Sequence, residues 1–126
     1  MFLRFTTLEV NDQSNRKTGI LVAAHELRDE GDLPSSDDAA LRDMLGWFNE
    51  HLKIPRLLSD DEHYRALSWF KPEAKEALKR AWDLKNLLES NGLTIEVHKT
   101  NDPGIVCYSD GWQVVAKPKK GQKICR

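Results

Sequence analysis

The chain has two cysteines in 126 residues, Cys107 and Cys125, so no disulfide framework organises it. Neither has a second Cys or a His at ligand spacing, which argues against a zinc site. The longest apolar run, Gly19-Ile-Leu-Val-Ala-Ala24, falls far short of the roughly twenty residues that cross a bilayer. The first residues, Met1-Phe-Leu-Arg-Phe-Thr6, alternate and carry a charge inside the pattern, unlike a secretory signal. A soluble, cytoplasmic protein is the expectation. There is no Gly-x-Ser-x-Gly elbow, no Gly-rich phosphate loop and no His-x-x-x-His pair. No cofactor and no metal are therefore expected, and an enzyme is the less favoured reading.

What is present fits one folded domain. Apolar residues make up 40% and charged residues 31% of the chain, enough of the former for a core and of both signs for solubility. The net charge of -1 conceals a segregation. Residues 26–62 carry eleven acids against four bases, whereas residues 63–126 carry twelve bases against seven acids. Two opposed electrostatic patches follow, either of which can meet a partner.

Residues 2–10 are aromatic and β-branched and read as a strand. Asn11 to Lys17 reads as a loop, with Thr18 as an N-cap for a helix over 19–30 that ends at Gly31. Asp37 and Asp38 suit the first turn of a second helix, because a helix N-terminus favours anions. That helix runs over about 36–52, carries the stripe Leu41, Leu45, Phe48 and Leu52, and stops before Pro55. Ser59-Asp-Asp-Glu62 has capping-box spacing, so a short helix is expected over 60–68. Ser68 then caps a long helix with Pro72 in its first turn. Its stripe is Phe70, Ala74, Ala77, Ala81, Leu84 and Leu88, and Asn91-Gly92 ends it.

After Gly92 the period becomes two. Residues 93–99 read as a strand, Asp102-Pro103-Gly104 as a turn with Gly at a left-handed position, and 105–109 with 112–116 as a hairpin closed by Asp110-Gly111. The expected class is α+β. An N-terminal strand is followed by three to four helices and a three-stranded antiparallel meander, with the helices on one face of a small sheet. Residues 1–116 form the single domain, and 117–126 are a basic, mobile tail.

The words Glu26-Leu-Arg-Asp29, Trp47-Phe-Asn-Glu50, Ala66-Leu-Ser-Trp-Phe-Lys71, Pro103-Gly104, Tyr108-Ser-Asp110 and Gln113-Val-Val-Ala116 span most of the chain. On these words the sequence resembles a group of small uncharacterised bacterial proteins. The resemblance implies a bacterial or phage-derived cytoplasmic origin and no particular activity, since none of the words is catalytic.

Candidate functional residues fall into four sets. Asp60, Asp61, Glu62 and His63 form the densest group of metal-ligand types. Consecutive residues on a helix do not share a face, however, and capping accounts for them better than an ion does. His25 and Asp29, four apart on a helix, are the nearest approach to a hydrolase pair, with no nucleophile beside them. The hairpin pairing Tyr108 with Gln113 and Val106 with Val115 would turn Val106, Tyr108, Gln113, Val115, Thr94, Glu96 and His98 outward, as a ligand or partner platform. Ile105, Cys107, Ser109, Trp112, Val114 and Ala116 would then meet the helices.

Four tryptophans, Trp47, Trp69, Trp82 and Trp112, are many for this length. Trp47 and Trp82 sit beside their helix stripes, where they can flank a partner groove between the second and the long helix. The leading expectation is a non-enzymatic protein that binds another protein or a second copy of itself through Trp47, Trp82, Tyr108, Gln113 and His98. The alternative is a nucleic-acid-associated regulator that tracks phosphates with Lys71, Lys75, Lys79, Lys117, Lys119 and Lys120. A small hydrolase with a His/acid site comes third.

Overall fold

A computed structural model describes residues 1–11, 16–52 and 67–119. Along the chain these residues form β1 (Phe2–Asn11), β2 (Arg16–Gly19), α1 (Ile20–Glu30), α2 (Ser35–His51), β3 (Leu67–Phe70), α3 (Lys75–Ser90), β4 (Ile95–Thr100), β5 (Ile105–Ser109) and β6 (Gln113–Lys117). The class is α+β, with a curled antiparallel sheet of six strands.

β1 organises the sheet because it is long enough to pair on both edges. One edge takes β4 in unbroken register, from Phe2 opposite Thr100 to Thr7 opposite Ile95. The other edge takes β3 at its start, Leu3 opposite Phe70, and β2 further along, Thr6 opposite Gly19 and Asn11 opposite Arg16. β3 continues to β6, and β6 to β5.

The expected meander does not form. β4 crosses to the N-terminal strand, and among the described residues β5 pairs only with β6. The intervening turn explains this. Gly104 has φ 112° and lies so close to Lys117 that a Cβ would collide with the Lys117 carbonyl oxygen. The chain thus passes against the end of β6 and enters on its far edge instead of folding back on β4.

The helices keep their expected places with corrected ends. α1 starts after Gly19 with no side-chain cap, because residues 16–19, expected as loop and N-cap, form β2. Gly31 closes α1 in the left-handed region at φ 77°. α2 begins after Pro34, with Asp37 and Asp38 in its first turn. The helix expected over 60–68 falls for the most part outside the described residues, but Leu67 and Ser68 belong to β3. Trp and Phe favour an extended, half-buried backbone, and here that preference outweighs the helical spacing of Phe70 and Ala74. Pro72 lies in the turn that follows, and α3 starts only at Lys75.

All three helices pack on one side of the sheet. Ile20 and Ala24 of α1, Leu41, Leu45 and Phe48 of α2, and Ala77, Ala81, Leu84 and Leu88 of α3 share one core with Phe5, Phe70 and Ile95. The Phe5 and Phe70 rings meet edge-on at 6.1 Å. Leu84 and Leu88 are fully buried, which contributes about 1.5–3 kcal/mol each. A second, smaller cluster of Leu67, Trp69 and Val114, with Phe2 against it, occupies the opposite side of the sheet.

Candidate interaction surface

The two faces of α3 separate the residues that matter. At about 100° per residue, Arg80 and Trp82 point to opposite flanks of a helix whose core line is Ala77, Ala81, Leu84 and Leu88. On one flank the Arg80 guanidinium lies 4.5 Å from the Trp47 ring centroid. Trp47 also stacks on His51 at 4.2 Å and meets Trp112 edge-on at 5.5 Å. His51 Nδ1 donates to the Trp47 carbonyl oxygen at 2.8 Å, which holds the imidazole in place. Trp47 is thus enclosed, tying the end of α2 to α3 and to the β5–β6 loop.

The groove expected between α2 and α3, flanked by Trp47 and Trp82 together, is not formed. Trp82 occupies the other flank of α3. It meets the Phe5 ring edge-on at 5.1 Å and remains 40% exposed. Lys85 Nζ lies 5.8 Å from its ring centroid and donates to Glu89 Oε1 at 2.6 Å.

Of the expected sheet platform, Val106 is exposed as anticipated. Gln113 and Val115 are buried, at 5% and 0% exposure, while Ile105, expected inside, is 60% exposed. Pairing with β3 sets the face: Gln113 lies opposite Phe70 and Val115 opposite Ser68, on the helix side of the sheet, and Val114 opposite Trp69 on the other. Tyr108 pairs with Val115 and Val106 with Ala116, with a shift between them. Asp110 closes the loop, its N–H donating to the Gln113 carbonyl oxygen at 3.0 Å. Gly111 and Trp112 are therefore the loop residues, where Asp110 and Gly111 were expected, and the bulge between Val106 and Tyr108 changes the alternation of Ile105 and Val106 relative to Tyr108. Val114 accordingly packs with Leu67 and Trp69, away from the helices.

Tyr108 donates its hydroxyl to Asp110 Oδ2 at 2.9 Å, and Asp110 Oδ1 accepts the N–H groups of Trp112 and Gln113 at 2.8 and 3.0 Å. Burial pushes the Asp110 carboxyl up, but the Trp112, Tyr108 and Gln113 hydrogen bonds outweigh it and hold the carboxyl below its usual value. The hydrogen bond to Asp110, with burial and the carboxylate charge, raises the Tyr108 phenol above its usual value. These bonds close the β5–β6 turn.

His98 lies on the side of the sheet away from the helices, opposite Arg4 in register. Its Nε2 is 2.8 Å from Thr6 Oγ1, and the Thr6 hydroxyl also lies 3.1 Å from the Thr7 carbonyl oxygen. Arg4 Nη1 donates to the Ser68 carbonyl oxygen at 3.2 Å. Trp69, on the same side, is 7% exposed, and its indole N–H finds no acceptor among the described residues.

The lysines do not form one track. Lys75 and Lys79 are exposed on α3, and Lys71 follows β3 with its N–H on the Trp112 carbonyl oxygen. Lys117 is at the other end of β6, roughly 13 Å from Gln113 by strand rise, and Lys119 donates to Asp102 Oδ2 at 2.9 Å. Lys120 lies outside the described residues, as do Asp60, Asp61, Glu62 and His63. His25 and Asp29 are both exposed on α1 with no ion pair between them. Among the described residues no three His, Cys, Asp or Glu side chains converge on a metal position, and no helix is long and apolar enough to cross a membrane.

Comparison with protein-family models, with curated proteins and with solved structures finds no match to this chain.

Proposed function

We propose that the protein is a small, non-enzymatic, cytoplasmic binding protein that acts through contact with another protein, and that the contact is made by the outer flank of α3 at Trp82. The observation that carries this reading is the state of Trp82. Its ring is held edge-on by Phe5 and yet is 40% exposed. Such an indole has already given up much of its rotational freedom while keeping apolar area in water. Covering that area gains roughly 25 cal/mol per Å², and Trp is among the residue types most enriched where interface energy concentrates.

A second reading, a nucleic-acid-associated regulator, is favoured by Lys75 and Lys79. They stand one helical turn apart, exposed and without a carboxylate partner among the described residues. The separation of Lys71 from Lys117 along β6 weighs against a continuous phosphate track, as does the sequence pI near 6.4.

A photo-reactive residue at position 86, exposed on the same line of α3 as Trp82, separates the two readings in a lysate of the source cells. The expected product is a discrete protein adduct that is absent when the probe sits at exposed position 39 of α2 and is lost on Trp82→Ala. Adducts carrying only nucleic acid would transfer the function to the second reading. Equal yields from positions 86 and 39 would contradict both.

A further inference from the structure

We infer that the segment recognised by α3 is an acidic, apolar-centred stretch of a separate polypeptide; this rests on the reading of α3 as the contact surface. Residues three and four apart share a helix face, so Lys75, Lys79, Trp82 and Asn86 form one exposed line. Among the described residues neither Lys75 nor Lys79 makes an ion pair. On the strand side, Phe5 pairs with Val97 and Leu3 with Lys99, which places Lys99 on the helix side of the sheet. It is two residues from the partner of the ring that touches Trp82, and it is exposed and has no ion pair among the described residues.

Lys85 Nζ thus lies 5.8 Å from an exposed indole, and Lys75 and Lys79 on the same helix line and Lys99 on the helix side of the sheet add exposed positive charge to that flank. On that flank the Glu89 carboxylate is already bonded to Lys85 at 2.6 Å. Glu76 bonds Arg80 at 2.9 Å on the opposite flank, and the exposed Asp83, one turn after Lys79, lies between the two flanks and leaves the four lysines in excess over Glu89 and Asp83. The local excess is positive in a protein whose net charge is -1. It is complemented by a segment with carboxylates for the lysines and an apolar side chain for Trp82.

Charge also sorts the other occupants. Two copies related by a two-fold at Trp82 would set Lys79 against Lys85 of the other copy, a like-charge contact. The acidic α1–α2 surface of a second copy is already partly engaged, because Asp38 is bonded by Arg28 at 3.1 Å and by Arg42 at 3.5 Å, and Asp37 by Asn91 at 3.2 Å. A stacked base would have to displace Lys85 from over the indole, whereas a carboxylate can join that ammonium where it stands.

The test is fluorescence anisotropy on the full chain with four labelled probes: a peptide of repeated Glu-Glu-Leu, its Gln-Gln-Leu and Lys-Lys-Leu counterparts, and oligothymidylate. The Glu peptide should bind about tenfold more tightly than the Gln peptide, the size expected from two or three exposed charge pairs. The double variant Lys75→Glu, Lys79→Glu, whose sites are solvent-exposed and whose melting curve should be unchanged, should lose that advantage and gain affinity for the Lys peptide. Trp82→Ala should weaken the Glu and Gln peptides alike. Equal binding of Glu and Gln peptides would overturn the acidic partner while leaving the contact surface, provided Trp82→Ala still weakens both. Indifference of every peptide to Trp82→Ala would overturn the surface itself. Tighter binding of oligothymidylate, lost in the double variant, would give the surface to nucleic acid. Self-association lost in the same variant would give it to the acidic helices of a second copy.

Discussion

Asp110 holds four donors at once, the N–H groups of Trp112 and Gln113, the Tyr108 hydroxyl and, at 3.5 Å, the Gln113 side-chain amide. Asp110→Ala strands those donors in a half-buried loop and should cost about 1–3 kcal/mol, read as a lower midpoint in urea. The same bonds depress the Asp110 pKa, so its contribution is fully present above the unfolded carboxyl value near 4. It is lost as pH falls through the lower folded value. The stability difference between the native chain and Asp110→Asn should therefore be constant at neutral pH and shrink in strong acid; a difference that grew with acidity would contradict the hydrogen-bonded carboxylate. At the same scale Trp47 and Trp82 share a sequence context, each beside an apolar stripe, and end in opposite states. Nothing in that context distinguished them. What differs is the flank of α3 each meets, and this depends on how α2 and β4 are arranged around it.

At the scale of elements, two glycines make opposite demands. Gly104 has φ 112° and no room for a Cβ beside the Lys117 carbonyl. Gly104→Ala should lose about 1–3 kcal/mol from backbone strain, with a further loss from the collision. Gly46 lies in α2 with nothing within 4 Å of a built Cβ, so Gly46→Ala should gain roughly 0.5–1 kcal/mol. Thermal melting of both variants checks the pair. The helices were legible because their stripes, Leu41-Leu45-Phe48 and Ala77-Ala81-Leu84-Leu88, are long enough to set a period, and those residues are the buried ones. β2 and β3 were not legible. Arg16–Gly19 carries no apolar alternation, and Leu67–Phe70 is too short to distinguish a strand from a helical turn. The hairpin was found, but its register was displaced because Asp110 serves as the closing residue rather than as part of the loop. Gln113 and Val115 were misplaced for a different reason: their face is set by the pairing of β6 with β3, which the sequence pattern does not encode.

For the whole molecule, the charge segregation visible in the sequence acquires a location. Between Ile20 and His51, eight of ten Asp, Glu, Lys and Arg side chains are acids. The cations Lys75, Lys79 and Lys99, which make no ion pair among the described residues, stand on the opposite side of α3 from Trp47 and the end of α2. The candidate site was half legible. Trp82 and the Lys75–Lys79 line can be read from helical spacing, but Lys99 joins them only because β4 crosses to β1, a long-range pairing that no local pattern encodes. The central claim is that this flank of α3, and no other surface, makes the contact. The most direct measurement is an amide chemical-shift titration of the labelled chain with the Glu-Glu-Leu peptide. Shifts concentrated at residues 75, 79, 82, 85, 86 and 97–99, with α2 and the β5 edge unmoved, are the expected result. Shifts centred on Ile105 and Val106, or spread without a focus, would contradict it.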